Sequence, residues 1–248
     1  MTSQTLQALI FDVDGTLADT ERAHLAAFNH AFAEEGLGWH WDEPTYTRLL
    51  EISGGKERIL HYWNQMRPDI VDVSGTAVRE IVQRLHEIKT AAYEAIVNSG
   101  GVKLRPGVLP LMEDAKRHGL RLAIATTTSP VNVAALLRKA IGSDWRLNFT
   151  VIGDASTAPL KKPHPQVYLQ MLHAMRLPAG ACVAFEDSEN GLRSANHAGI
   201  EAVVTPTHFT AHHDFSGALK VVAGLSGVQV RDLQTWLAEA ATHERAAA

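Results

Sequence analysis

Two aspartates, Asp12 and Asp14, stand at the end of the apolar run Ala8–Leu9–Ile10–Phe11 and are followed at once by Gly15–Thr16–Leu17. A short apolar run without helical period reads as a buried β-strand, and Gly15 lets the backbone turn sharply where it ends. Side chains alternate along a strand, so the two carboxylates set out on the same side. Two negative charges held this close repel unless a cation or a shared proton compensates, which points to a divalent metal with oxygen ligands. Further reactive groups recur downstream: Thr126 after Leu120–Ala125, Lys161 and Lys162 before Pro163, and Glu186 with Asp187 after Ala181–Phe185. Such acids suit Mg²⁺, which takes a few carboxylates together with water and a phosphate oxygen. A lysine and the Thr126 hydroxyl can hold the other phosphate oxygens, and one free aspartate can attack phosphorus to form an aspartyl-phosphate. Spacing alone leaves the choice between Lys161 and Lys162 open.

These groups meet only if the strands that carry them lie side by side. From Pro106 onward the chain alternates: helix Gly107–His118, strand Leu120–Ala125, helix Val131–Ala140, strand Phe149–Ile152, a helix beginning near Pro165, strand Ala181–Phe185, helix Ser188–Ala198 and strand Ala202–Thr205. A weaker strand Leu219–Val222 and a helix Val230–Ala241 complete it. That alternation predicts an α/β fold, a parallel sheet with helices on both faces, and ligands at the C-terminal ends of its strands. Between the first strand and this region, residues 20–98 read as entirely helical. Asp19–Thr20 looks like a polar helix start. A short helix is expected at Tyr46–Leu50, and Val78, Ile81, Val82, Leu85, Ile88, Ala92 and Ile96 form one apolar stripe on a longer helix from Thr76 to Val97.

The 248 residues are 46% hydrophobic and 20% charged, an ordinary globular balance with room for a sizeable core. A net charge of −4 argues against a broad nucleic-acid or membrane surface. The single cysteine, Cys182, excludes an internal disulfide and, inside Ala181–Phe185, reads as a small core residue. The 13 histidines show no zinc-helix spacing. Residues 1–7 lack the regions of a secretory signal, so a cytoplasmic location is expected.

Taken in order, Asp12–Val13–Asp14–Gly15–Thr16, Thr126 after its apolar strand, Lys162–Pro163–His164–Pro165 and Glu186–Asp187–Ser188 resemble the four motifs of the haloacid dehalogenase superfamily of phosphatases and phosphomutases. The match covers essentially the whole chain, and the ordered set is far more specific than any member. The resemblance implies a Rossmann-like core domain at 1–19 and 99–248 with an inserted helical cap domain at 20–98. It implies that Asp12 is nucleophile and metal ligand, while Asp14 protonates the leaving oxygen, then activates water, and lends the metal its backbone carbonyl. Thr126 and Lys162 would bind the transferring phosphoryl group, Lys162 being the lysine directly before the proline, and Glu186 and Asp187 would complete the Mg²⁺ site. A cap closing over the site would exclude water and select the substrate.

On the cap, Glu21 and His24 share one helical face near the site, and His24 matches a histidine that in the mutase branch couples cap closure to the acid–base aspartate. Arg48, Gly54, Gly55, Lys56 and Arg58 suit a second anionic group, because glycines allow close approach and cations bind phosphate. Thr127 and Thr128, beside Thr126, are read as substrate contacts. Leu9–His24, Ser53–Arg58 with Tyr62–Trp63, and Ala123–Pro130 resemble the Calvin-cycle-associated sugar-bisphosphate phosphatases of bacteria. That resemblance implies hydrolysis of xylulose-1,5-bisphosphate, an inhibitory by-product of Rubisco, to xylulose 5-phosphate; separately, a monomer acting on a small molecule is expected. A sugar phosphomutase is the nearest rival, although Thr16 stands where the mutase has valine. Phosphoglycolate phosphatase is a second, but so small a substrate needs no distal cationic pocket. A non-catalytic phosphosugar sensor fits poorly with a complete set of reactive groups, and a dehalogenase has no need of the second aspartate.

Overall fold

The computed structural model describes residues 5–66 and 75–247. Six strands form one parallel sheet: β1 (Ala8–Phe11), β2 (Arg121–Ala125), β3 (Val151–Gly153), β4 (Cys182–Glu186), β5 (Glu201–Val204) and β6 (Lys220–Val221), in the order β3-β2-β1-β4-β5-β6. β1 lies between β2 and β4, and Phe11 is in register with Ile124 on one side and Phe185 on the other. Asp12, Thr126 and Asp187 therefore leave the sheet at one edge, where the strand order doubles back around β1.

Alternation along the strands divides the core in two. On one face Leu9, Phe11, Leu122, Ile124, Val183 and Phe185 pack with α5 (Val108–Arg117), α6 (Pro130–Ile141) and the start of α9 (Val230–Ala247). The other face carries Ala8, Ile10, Ala123, Ala125, Cys182 and Ala184 under α7 (Gln166–Met175) and α8 (Glu189–His197). Phe11 and Phe185 stack across neighbouring strands with ring centres 4.7 Å apart, a pairing worth about 1 kcal/mol beyond burial. Cys182 is fully buried, as a core residue should be.

Among the described residues, four helices intervene between β1 and α5: α1 (Glu21–Glu34), α2 (Glu43–Leu49), α3 (Gly55–Met66) and α4 (Thr76–Asn98). The helical reading of 20–98 includes 67–74, which lie outside the described residues, as do 1–4 of the stretch 1–7 that lacks the regions of a secretory signal. α2 starts earlier than expected because Asp42 caps it, accepting from the Thr45 N–H at 2.8 Å. Thr20, read as a helix start, makes no side-chain cap. Its hydroxyl goes to Asp14 instead.

A third cluster, with Phe28, Phe32, Trp41, Tyr46, Ile59, Val82 and Leu85, holds the inserted helices together. α1 and α4 run from this cluster into the sheet core, where Ala23, Ala27, Tyr93 and Val97 join the β1 face. The buried line of α4 is Val78, Val82, Leu85, Lys89, Tyr93 and Val97. Ile81, Ile88, Ala92 and Ile96 of the expected stripe are only half-buried, because α4 turns a lysine and a tyrosine toward the site. Among the described residues no helix is long and apolar enough to cross a membrane.

Candidate active site

Asp12, 7% exposed, sits where β1 ends, and the Lys162 ammonium reaches it from the loop before α7. Lys162 Nζ donates to Asp12 Oδ1 at 2.7 Å, to Glu186 Oε1 at 2.6 Å and to the Ala125 carbonyl at 2.8 Å. Three acceptors satisfy the three N–H groups of an ammonium. Lys161 Nζ instead donates to the Ala155 and Ala158 carbonyls at 3.2 and 3.5 Å. The structure thus separates two adjacent lysines that spacing could not.

Asp12, Glu186 and Asp187 each offer a carboxylate oxygen, all within 4.8 Å of one another. The Tyr168 hydroxyl donates to Glu186, and Thr210 Oγ1 donates to Asp187 Oδ2 at 3.3 Å. Two glycines make room for these acids. A Cβ at Gly15 would fall 2.2 Å from Asp187 Oδ2, and one at Gly191 would fall 1.8 Å from Glu186 Oε2.

Burial pushes Asp12 up to about 8; Lys162 pulls against that, while Glu186 and Asp14 add to it. Asp187 is also raised well above the usual carboxylate range, first by burial and then by Asp12 and Glu186. Burial alone would lower Lys162, but Asp12 and Glu186 outweigh it and keep the ammonium protonated. Three buried acids crowd around one ammonium and resist ionising together unless a cation joins them, and the donor set is all oxygen, which fits Mg²⁺.

Asp14 turns away from this trio toward α1. Its Oδ1 accepts from Thr20 Oγ1 at 2.7 Å and from His24 Nε2 at 2.9 Å. Burial alone would raise Asp14, yet His24, Thr20 and Lys89 hold it well below the usual range. Behind His24, Lys89 Nζ lies 2.8 Å from Nδ1. An ammonium has no acceptor, so Nδ1 accepts and Nε2 carries the proton donated to Asp14. Lys89 is buried, and that pulls it down to about 8 against the attraction of Asp14. Tyr93 stacks on His24 with ring centres 4.1 Å apart and fixes the imidazole plane.

Both arrangements open onto one cleft of about 460 Å³ between the sheet edge and α1–α4. A carboxylate beside a buried ammonium and an acidic trio, flanked by hydroxyls, is the equipment of phosphoryl transfer. The haloacid dehalogenase-like hydrolase family matches residues 6–199. The chain belongs to that family. The CbbY protein of Cupriavidus necator is 56% identical over 220 residues, 89% of this chain and 86% of its own length. The CbbY protein of Rhodobacter capsulatus is 46% identical, over 86% of this chain and 91% of its own length. Among solved structures, CbbY from Rhodobacter sphaeroides in complex with phosphate superposes with a TM-score of 0.84 at 40% identity, covering 93% of this chain and all of the other. A mutant of the same protein in complex with xylulose-(1,5)bisphosphate gives 0.82 at 39% identity, covering 90% and 96%. A β-phosphoglucomutase from Clostridium difficile, 22% identical with a TM-score of 0.78 over 96% of this chain and all of its own, shares the fold.

As a haloacid dehalogenase-type phosphatase, the chain places most of its expected site residues on the cleft. Thr126, Thr127, Thr128, Glu21, His24, Gly54, Gly55 and Lys56 line it with the acids. Glu21 accepts from the Tyr46 hydroxyl at 2.5 Å. Two cations expected to meet an anion do other work. Arg48 is exposed on the outer side of α2, its Nη2 donating to Thr45 Oγ1 at 3.2 Å, because Tyr46 and Leu49 take the buried face. Arg58 reaches the cleft wall, but its nitrogens are spent on the Leu49 carbonyl, the Tyr46 hydroxyl and the Ile52 carbonyl at 2.9, 3.2 and 3.1 Å. Sequence reasoning missed Lys89, Tyr168, Thr210 and His86. Lys89 left a signal, a charge at helical spacing between Leu85 and Tyr93 on an apolar stripe. Tyr168 and Thr210 left none, since their partners are remote in the chain. His86 lines the cleft and is pushed down to about 3 by burial and by Lys89 and Lys56.

Proposed function

We propose that this phosphatase hydrolyses a sugar bisphosphate, xylulose-1,5-bisphosphate to xylulose 5-phosphate, in support of Rubisco, and that residues 20–98 act as a cap over the cleft. The observation that carries this is the opposite setting of Asp12 and Asp14, one against an ammonium and two acids, the other hydrogen-bonded to an imidazole and a hydroxyl. The likeness to a CbbY structure in complex with xylulose-(1,5)bisphosphate supports the choice of substrate.

Asp12 attacks phosphorus, and the bond from phosphorus to the sugar oxygen breaks as the Asp12–phosphorus bond forms. Lys162 and Thr126 hold the oxygens of the moving phosphoryl group and offset its charge. Asp12, Glu186 and Asp187, with the backbone carbonyl of Asp14, would hold Mg²⁺, whose charge reduces the repulsion between carboxylate and phosphate dianion. Asp14 is ionised before substrate enters, and an arriving phosphate dianion raises its pKa and draws a proton onto it. That proton goes to the leaving sugar oxygen, whereupon Asp14 takes one from the water that attacks the phosphoaspartate and frees Asp12. His24, fixed by Lys89, keeps Asp14 aimed at the leaving oxygen. The second phosphate lies toward Gly54, Gly55 and Lys56 on the cap and Thr127 and Thr128 on the core.

The test is a panel of sugar phosphates with Mg²⁺, read for inorganic phosphate and for rearranged sugar. Phosphate released fastest from xylulose-1,5-bisphosphate, and lost in Asp12→Asn, is the expected outcome. An isomerised sugar phosphate without free phosphate overturns hydrolysis, and equal rates across the panel overturn the bisphosphate preference.

A further inference from the structure

The loop Thr205–His213 leaves β5 with no recognisable motif, yet it joins two parts of the molecule. Its Phe209 is 5% exposed and packs in the cluster of the inserted helices, ring edge on Tyr46 with centres 6.0 Å apart. Among the described residues, every other member of that cluster lies between positions 25 and 88. A residue of the sheet half thus completes the core of the helical half. Beside it His208 Nε2 meets Glu43 Oε1 of α2 at 2.7 Å.

The next residue faces the other way. Thr210 is buried, and its Oγ1 donates to Asp187 Oδ2 at 3.3 Å. Phe209 and Thr210 cannot move independently, because the turn between them is tied internally. The Thr207 N–H donates to Thr210 Oγ1 at 2.9 Å, the Phe209 N–H to Thr207 Oγ1 at 3.2 Å, and the Thr210 N–H to the Thr207 carbonyl at 3.2 Å. The start of the loop is anchored by Arg105, whose Nη1 donates to the Thr205 carbonyl at 2.7 Å and to the carbonyl of Gly15, and whose Nη2 donates to the Pro206 carbonyl at 3.2 Å. The anchor therefore also grips the turn that follows Asp14.

We propose that Thr205–His213 is a latch that docks Phe209 into the inserted helices when they close and, through Thr210, links that docking to the position of Asp187. This rests on the cap and Mg²⁺ readings above. Phe209 and Thr210 are positioning residues: Phe209 does not line the cleft, and Thr210 acts through Asp187. Closure of the helical half and order in the acid trio then become one equilibrium, with effects that run both ways. A cap opened at Phe209 loosens Asp187, and an ion bound at Asp187 tightens the cap.

The test uses the whole chain without substrate, so it does not depend on which phosphate ester is hydrolysed. Mg²⁺ affinity is measured by calorimetry, and backbone hydrogen exchange is followed in α2, α3 and β4. Phe209→Ala is expected to raise exchange in α2 and α3 and to weaken Mg²⁺ binding about fivefold, while β4 stays protected. Phe209→Leu, which keeps an apolar plug, is expected to restore both. Thr210→Val is expected to weaken Mg²⁺ binding and leave α2 and α3 protected. Unchanged Mg²⁺ affinity in Phe209→Ala overturns the link to Asp187. Faster exchange spread into β4, or no recovery in Phe209→Leu, overturns the latch in favour of a general packing role. Wild-type protein that releases no phosphate from xylulose-1,5-bisphosphate defeats the substrate reading and leaves these measurements standing.

Discussion

Asp12 and Asp14 are two residues apart, and each is buried among charges, yet their surroundings differ in kind. Asp12 belongs to a strand-end cluster where burial and two neighbouring acids oppose one lysine, and its carboxyl is pushed up to about 8. Asp14 belongs to a line running into the inserted helices, where Thr20 and His24 donate to it and hold it well below the usual range despite burial. One carboxylate is kept short of counter-charge, which in the proposed mechanism a metal would supply. The other is held by donors that fix its direction. In the proposed mechanism the same side chain serves as nucleophile or proton carrier according to what surrounds it.

The sharpest break of this contrast is Asp12→Asn. Loss of the nucleophile is expected to lower phosphate release about 10⁴-fold or more. The melting temperature should hold or rise, since burial already favours the neutral form of Asp12 and Lys162 keeps Glu186 as its partner; a clear fall would show that Asp12 stabilises the fold as an ion. Asp14→Asn comes next. Loss of a proton carrier is expected to cost about 10²- to 10⁴-fold in kcat, with Mg²⁺ affinity nearly unchanged because its side chain lies outside the trio. Weakened Mg²⁺ binding would erase the division between the two aspartates. Lys89→Met removes the donor behind His24 and one of the charges that hold Asp14 low, and a fall of about tenfold in kcat with KM little changed is expected. Equal loss in kcat and stability would mark Lys89 as a packing residue.

The smallest effect lies outside both regions. Asp114 on α5 accepts from the Val230 N–H at 2.8 Å, opening α9. That hydrogen bond, with Arg117 beside it, holds its carboxyl below the usual 3.8. A depressed carboxylate stabilises the fold above its unfolded pKa, and the contribution is lost as pH falls through the lower folded value. Asp114→Asn is expected to cost about 1 kcal/mol in denaturant unfolding at pH 7, and the gap should shrink as the pH is lowered below about 4. A gap that widens in acid would contradict that sign.

Much of this was readable along the chain. β1, β2 and β4 showed as short apolar runs because strands buried on both faces need no polar alternation. The expected bounds erred by one or two residues at every strand from β2 to β6, since a strand ends where its neighbour stops pairing, which a single segment does not encode. Asp12, Asp14, Thr126, Glu186 and Asp187 stood out because each follows such a run. Arg48 misled because cations near glycines suggest an anion site, whereas direction around a short helix is set by Tyr46 and Leu49, which must be buried.

By itself the sequence determined the alternation that makes a parallel sheet and the order in which reactive groups arrive at its edge, both consequences of local pattern. Only the tertiary structure decided which of two adjacent lysines meets Asp12, that a lysine on α4 stands behind His24, and that a phenylalanine far down the chain closes the cluster of the inserted helices. The reason is the same in each case. The direction of a side chain and the sign of its pKa shift are set by what is packed against it, and those partners lie 24 to 163 positions away: Lys162 to Glu186 and Asp12, Lys89 to His24, and Phe209 to Tyr46.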